Sequence, residues 1–308
     1  MERVVKVIPR PKPTRAGKHL ARLVENYDKP ILRPFEFFAL ILGLYQDAPA
    51  EKLYLRKKKP DLEEYNRFKR MLNYMDVVRY DKDYGKRALR VLTNSDCPAE
   101  EIVCLVDPTC YVSHLSAMQR WGLTNRSPRF LMMTRPERET WQNMLRVYRK
   151  KILDEQNISD IHHADIYPLH VIDHPQRVRG QSIYMLTTKA SGLSLVGQGT
   201  HMRISTIGQT FLDMLQKPDL CGGMSHVLDV WEENAATYLD QIIPSIDAAR
   251  SGLVKSRAGY IFQEYLGLEH PTIDKWKAFS QRGGSRKLDP SKEFAPTYSE
   301  TWMISINV

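Results

Sequence analysis

"VVRYDKDYGKRALRVL" (Val77–Leu92) carries two short runs rich in Val, Tyr and Leu. Between them lies "DKDYGKR", a turn with Gly85 and the cations Lys82, Lys86 and Arg87. Strand-forming residues around a glycine turn predict a β-hairpin, here with a basic tip. What precedes the hairpin decides what such a tip is for. "DLEEYNRFKRMLNYM" (Asp61–Met75) starts at Pro60–Asp61, a helix start signal. Leu62, Tyr65, Phe68, Leu72 and Met75 share one face of that helix, and Asn66, Arg67, Arg70, Asn73 and Tyr74 the other.

Further upstream, "TRAGKHLARLVENY" predicts a helix with Thr14 as N-cap and Leu20, Leu23, Val24 and Tyr27 on one face. "PRPKP" (Pro9–Pro13) is a stiff basic lead-in, and Lys29–Pro30 ends the helix. Pro34 opens "FEFFALILGLYQD", apolar nearly all round and so expected to be buried. Three helices, the third with a polar basic face, followed by a hairpin, is the order of a winged helix-turn-helix. In that arrangement the third helix enters the major groove and the wing reaches phosphates or the minor groove. The competing reading is a solvated basic helix beside an ordinary hairpin.

Charge supports the first reading. Residues 1–95 hold 22 Lys and Arg against 12 Asp and Glu, whereas residues 96–308 hold 23 against 24. The basic excess therefore sits in the first third, as expected of a module that meets a polyanion joined to a larger module that does something else. The expected DNA-contacting residues are Lys57, Lys58 and Lys59 before the third helix, Asn66, Arg67, Arg70 and Asn73 on it, and Lys82, Lys86 and Arg87 on the wing. Arg67 and Arg70 would read bases; the lysines and Arg87 would grip phosphate. Glu63 and Glu64 argue mildly against deep insertion of the helix start, or act as first-turn acids favoured by the helix dipole.

"NSDCPAEE" (Asn94–Glu101) is the expected linker, giving domains 1–95 and 96–308. The fold class is α+β, a winged helix-turn-helix followed by a larger mixed α/β domain. In that second domain "EEIVCLVDP" reads as a strand or short apolar segment, and "YVSHLSAMQRWGL" as a helix capped by Ser113 and ended at Gly122. "RFLMMT", "YPLHVID" and "SIYMLTT" read as strands, "ETWQNMLRVYRKKILDEQ" as a helix, and Trp302–Val308 as a final strand. "TIGQTFLDMLQKPDLCGGMSHVLDVWEENA" reads as two helices broken at Pro218 and Gly222–Gly223.

Chemistry is sparse. His162, His163, His170 and His174 fall near Asp160, Asp165 and Asp173, without a familiar metal-ligand spacing. "GLSLVGQG" has Val196 where a nucleophile elbow needs glycine, and no phosphate loop is present. "HVLDVWEEN" (His226–Asn234) suits an amphipathic helix better than a nuclease metal site. The expectation is no catalytic residues, no metal and no cofactor. The cysteines Cys97, Cys104, Cys110 and Cys221 form no CxxC pair and are expected to be free cytosolic thiols. No secretory h-region and no membrane-length apolar run is visible, so a cytoplasmic location is expected.

Four stretches carry a resemblance: "YVSHLSAMQRWGLTNRSP", "RISTIGQTFLDMLQKPDLCGGMSHVLDVW", "LDP" (Leu288–Pro290) and "WMISIN". With the winged-helix layout ahead of them, they resemble the AbiEi family of antitoxins of type IV toxin–antitoxin and abortive-infection systems. The resemblance spans Tyr111–Asn307; the N-terminal third matches in layout more than in residues. The chain departs from the family at Gln209, where an arginine is often found before the threonine, and in a longer segment from Glu139 to His174. The resemblance implies a DNA-binding repressor of its own operon that neutralises a nucleotidyltransferase-like toxin, without necessarily forming a stable complex with it. The alternatives are a winged-helix regulator whose second domain binds a ligand or another protein, and an enzyme, such as a nuclease, that the winged helix targets to DNA.

Overall fold

The computed structural model describes residues 13–158, 172–189, 192–280 and 286–308. Most of the "PRPKP" lead-in (residues 9–12), Asp160, His162, His163, Asp165 and His170, and most of the strand expected at "YPLHVID", lie outside the described residues. The chain forms two compact units, one of residues 1–109 and 136–181, the other of residues 110–135 and 182–308. No described helix is long and apolar enough to cross a membrane.

The first unit begins with α1 (Arg15–Glu25), capped as expected by Thr14, whose Oγ1 accepts from Gly17 N at 3.0 Å. A two-residue strand β1 (Ile31–Leu32) leads into α2 (Pro34–Asp47), whose Phe37, Phe38, Ile41 and Leu44 are fully buried. Next come α3 (Leu62–Tyr74) and the hairpin β2 (Val78–Asp81) and β3 (Gly85–Val91). Strand β3 is central: it pairs antiparallel with β2 and with β1, placing Leu89 opposite both Tyr80 and Leu32. Helix α1 approaches α3 at Gly17, where a Cβ would lie 2.0 Å from Met71 Sδ. A side chain there would require the Met71 side chain to move.

The expected linker does not end this unit. "EEIVCLVDP", read from sequence as a strand or apolar segment, is the helix α4 (Ala99–Val106). Glu100 and Glu101 sit in its first turn, and Ile102, Val103, Cys104 and Val106 are buried. A short run with apolar residues at both periods does not separate helix from strand. After residue 136 the chain returns to the unit as α6 (Arg138–Glu155), and Ile152, Leu153 and Ile158 join the core of α1, α2 and α3. Tyr148 of this helix donates to Glu36 Oε1 at 3.0 Å, and the Arg33 guanidinium lies 4.3 Å above its ring. Burial would raise the Glu36 carboxyl; Arg33 outweighs it and holds the group below its ordinary value. The 96–308 domain expected from sequence is therefore divided, with residues 96–109 and 136–181 belonging to the unit that holds the N-terminal helices. A two-residue strand, β6 (Arg177–Val178), precedes the exit.

In the second unit, strands β4 (Tyr111–Val112), β5 (Leu131–Pro136), β7 (Gln181–Thr188), β8 (Ser194–Val196) and β9 (Arg203–Ser205) run in the order β7-β5-β4-β9-β8. β4 and β9 are parallel; β4 with β5 and β8 with β9 are antiparallel. The helix α5 (His114–Arg120) starts at Ser113, but the serine makes no cap. Its Oγ accepts instead from Thr134 Oγ1 at 2.8 Å. Gly122 follows α5 with φ +72°, the left-handed stop the sequence suggests.

Helices α7 (Ile207–Gln216), α8 (Met224–Asn234), α9 (Leu239–Asp247), α10 (Gly252–Gly259) and α11 (Pro271–Trp276) complete the unit. The break between α7 and α8 falls at Pro218 and Gly222–Gly223, as expected. Phe211, Trp231, Phe262 and Trp276 fill the core, with Trp231 in edge-to-face contact with Phe211 at 5.2 Å and with Phe262 at 5.1 Å. Gly208 lets α7 lie against α9: a Cβ would come within 2.0 Å of Gln241 O. The final strand is shorter than expected, only Ile304–Ser305 on Tyr298–Ser299. Asn307 instead clamps the "LDP" turn, accepting from Asp289 N at 2.8 Å and donating to Asp289 O at 2.9 Å.

Candidate nucleic-acid interface

Helix α3 is pinned at its start. Asp61 caps it, accepting from Glu64 N at 3.0 Å. Lys57 Nζ lies 2.6 Å from Asp61 and 2.5 Å from Glu63, so this lysine is engaged with the helix start. Lys58 and Lys59 are exposed beside it. The buried face consists of Glu64, Tyr65, Phe68, Met71 and Leu72. It is rotated from the expected one: Leu62 is 53% exposed and Glu64 only 1%.

That rotation changes the reading of Arg67. Its Nε and Nη2 reach the two oxygens of Glu64 at 2.9 and 2.5 Å, and its guanidinium stacks 4.2 Å over the Phe68 ring. One donor edge, Nε with Nη2, serves a buried carboxylate, which also accepts from Tyr45 Oη at 3.3 Å. Arg67 is thus a partner of Glu64 in this structure, with its side chain 16% exposed. Arg70 is exposed, and its Nε donates to Asn66 O at 3.3 Å. Asn66 donates to Leu62 O at 2.9 Å and Asn73 to Val78 O at 3.1 Å. A bidentate contact to adenine uses both carboxamide atoms, and here each nitrogen is held by backbone.

The hairpin tip is built on carboxylates. Asp81 Oδ1 accepts from Asp83 N and Tyr84 N, each at 3.0 Å, which shapes the turn. Arg179 holds this turn from a distant part of the chain. It lies 2.6 Å from Asp81 Oδ2, donates from Nε to Asp96 at 2.9 Å, and also pairs with Asp83. Its backbone is left-handed, φ +50°, a strain that the clamp offsets. Burial would raise the Asp81 carboxyl; Arg179 and the turn amides keep it below its ordinary value. Tyr84 packs under the tip with its hydroxyl 2.9 Å from His174 Nδ1. His174 in turn lies 3.6 Å from Asp107, which accepts from Trp141 Nε1 at 3.2 Å and from Thr109 Oγ1 at 2.7 Å. His174 thus has Tyr84 and Asp107 as partners. On the outer side of the hairpin, Lys86 is exposed, Lys82 lies 3.5 Å from Asp96, and Arg87 is engaged with Asp173.

Sequence reasoning did not single out Lys69 and Tyr80. A concavity of about 220 Å³ between α3 and the hairpin is lined by Lys69, Arg70, Asn73, Tyr74 and Tyr80, with Val78 and Leu89 at its base. The Lys69 ammonium lies 5.0 Å from the Tyr65 ring and 5.7 Å from the Tyr80 ring, so it sits over this hollow. Lys69 could have been found, since three residues from Asn66 and four from Asn73 place it on the same helical stripe. The hollow offers ammonium, guanidinium and phenol groups over an apolar floor, a combination suited to a phosphate and its sugar. No protein-family model matches this chain, and comparison with curated proteins finds no match.

Proposed function

We propose that the N-terminal helices and hairpin are a winged helix-turn-helix that binds double-stranded promoter DNA. On this reading the chain is an AbiEi-like antitoxin that represses its own operon and counters a nucleotidyltransferase-like toxin in the cytoplasm. The observation that carries the DNA half is topological. The order α1-β1-α2-α3-β2-β3, with β3 central in a β1-β3-β2 sheet, sets a polar helix face beside a hairpin in a segment that holds the basic excess. Base reading falls to Arg70, with Lys69, Tyr74 and Tyr80 around it. Lys58, Lys59, Lys82, Lys86 and Arg87 supply phosphate contacts.

The antitoxin half rests on the resemblance at Tyr111–Pro128, Arg203–Trp231, Leu288–Pro290 and Trp302–Asn307. Two measurements test the proposal. Purified chain should shift a fragment of its own promoter at a salt-dependent affinity and discriminate it from scrambled DNA. Co-expression with the neighbouring nucleotidyltransferase gene should restore growth. Equal affinity for every sequence would remove the repressor reading, and growth arrest that co-expression leaves untouched would remove the antitoxin reading.

A further inference from the structure

The second unit holds a cavity of about 460 Å³, within the range of small-molecule sites. Its floor is polar and buried. Asp213, on α7, is 6% exposed and lines it. One carboxylate oxygen, Oδ1, accepts from Gln209 Nε2 at 2.7 Å; the other, Oδ2, is buried with no hydrogen-bond partner among the described residues. Gln209 cannot turn away to serve it better, because its own Oε1 accepts from Leu193 N at 3.3 Å. His114 also lines the cavity, held at φ +51°, a strained conformation for a side chain of that size. Burial pushes the Asp213 carboxyl up to about 7 against the hydrogen bonds that lower it.

The chain packs closely around Gln209 at one side of the cavity. Gly192 N donates to Tyr111 Oη at 3.1 Å, and a Cβ at Gly192 would come within 2.6 Å of that oxygen and 2.9 Å of Gln209 Cδ. Leu186, Leu193 and Leu212 form apolar walls, and the exposed lining residues include Lys189, Lys217 and Arg250. The cavity thus pairs an acceptor in its floor with cations at its mouth.

We propose that this cavity binds a small molecule with an N–H-bearing head and an anionic tail, the head donating to Asp213 Oδ2 and the tail resting against Lys217 and Arg250. Both an α-amino acid and a nucleoside monophosphate have this chemistry. The ammonium or base amino group would satisfy the orphaned oxygen, and the carboxylate or phosphate would meet the basic mouth. The inference is independent of the antitoxin reading, since it rests on the cavity alone.

The test is calorimetric titration of the full chain at pH 8, where Asp213 is ionised, with the proteinogenic amino acids in one arm and the ribonucleoside 5′-monophosphates in the other. A member of one arm is expected to bind, which also tells the two sources apart. Asp213→Asn should weaken it by about tenfold or more, the scale set by losing a hydrogen bond to a charged group. Gln209→Arg places a guanidinium one turn from Asp213 and should occupy Oδ2 from within, weakening binding likewise while leaving the carboxylate in place. Circular dichroism on both variants separates loss of the site from loss of the fold. No binding by either arm up to millimolar concentration, or equal binding by wild type and a folded Asp213→Asn variant, would overturn the proposal.

Discussion

Asp213→Asn should change the pH dependence of stability in a predictable way. The carboxyl is raised from its ordinary 3.8 to about 7 by burial, so the folded chain keeps a proton that the unfolded chain releases. Stability from this group is therefore complete below about pH 4 and is lost as pH rises towards 7. A shift of roughly 3 units at 1.36 kcal/mol each sets an upper figure of about 4 kcal/mol, which water in the cavity would reduce towards about 2 kcal/mol. The groups around Asp213 do not mimic this. His114 is pushed down to about 4 by burial and Lys217, so its own contribution has the opposite sign and is lost as pH falls below 6.5. Burial also moves the Tyr111 hydroxyl and the Cys221 thiol upward, away from this window. In wild type, His114 and Asp213 oppose each other between pH 4 and 6.5, and the variant leaves His114 alone. Urea unfolding followed by tryptophan fluorescence suits the measurement, because Trp231, Trp276 and Trp302 are buried in the same unit. The stability of Asp213→Asn relative to wild type should climb by about 2–4 kcal/mol from pH 4 to 8 and then level. A difference that stays constant with pH would refute the reasoning.

Removing Arg179 should be costly, because Asp81 and Asp83 would lose their counter-charge; Arg179→Gln is expected to destabilise by about 3–5 kcal/mol in thermal or chemical unfolding, with little rescue by Arg179→Lys. Arg67→Ala strands the buried Glu64 and should cost a similar about 3–5 kcal/mol in the same assay, while any folded fraction retains its DNA sequence preference in gel shifts. Gly208→Ala forces α7 away from Gln241 and should lower stability by about 1–3 kcal/mol, visible as a lower urea midpoint. On acidification, Asp81 and Asp107, both held below the ordinary 3.8 despite burial, give up their stabilisation as pH falls through their folded values; a steepening loss of helical circular dichroism below that point checks it.

The N-terminal elements were legible in the sequence because local signals agreed. Thr14 and Asp61 as caps, Pro34 at a helix start and the glycine turn at Gly85 each name their element within a few residues. The orientation of α3 was less legible. A face drawn through Leu62 and Met75 rests on hydrophobicity alone, and the structure buries Glu64 instead, because Arg67 three residues on can neutralise it. A pair of opposite charges at that spacing reads equally well as a surface ornament. The return of α6 to the N-terminal core, and the Arg179 clamp on the hairpin, depend on partners 80 to 115 residues away along the chain. No local periodicity carries such information. The cavity was hidden for the same reason: Gln209 and Asp213 are visible as neighbours on one helix, but that Oδ2 has no partner among the described residues is a property of what surrounds them.

The most direct test of the central claim is the salt dependence of promoter binding by the full chain and by a Lys69→Gln/Arg70→Gln variant. Each phosphate contact contributes a slope of roughly −0.9 in log K against log salt. If Lys69 grips phosphate and Arg70 reads a base, the double variant should lose about one contact's worth of slope, and its preference for promoter over scrambled DNA should fall by about 1–3 kcal/mol. A double variant with unchanged slope and unchanged preference would contradict the assignment of α3 and its hollow as the DNA-binding face.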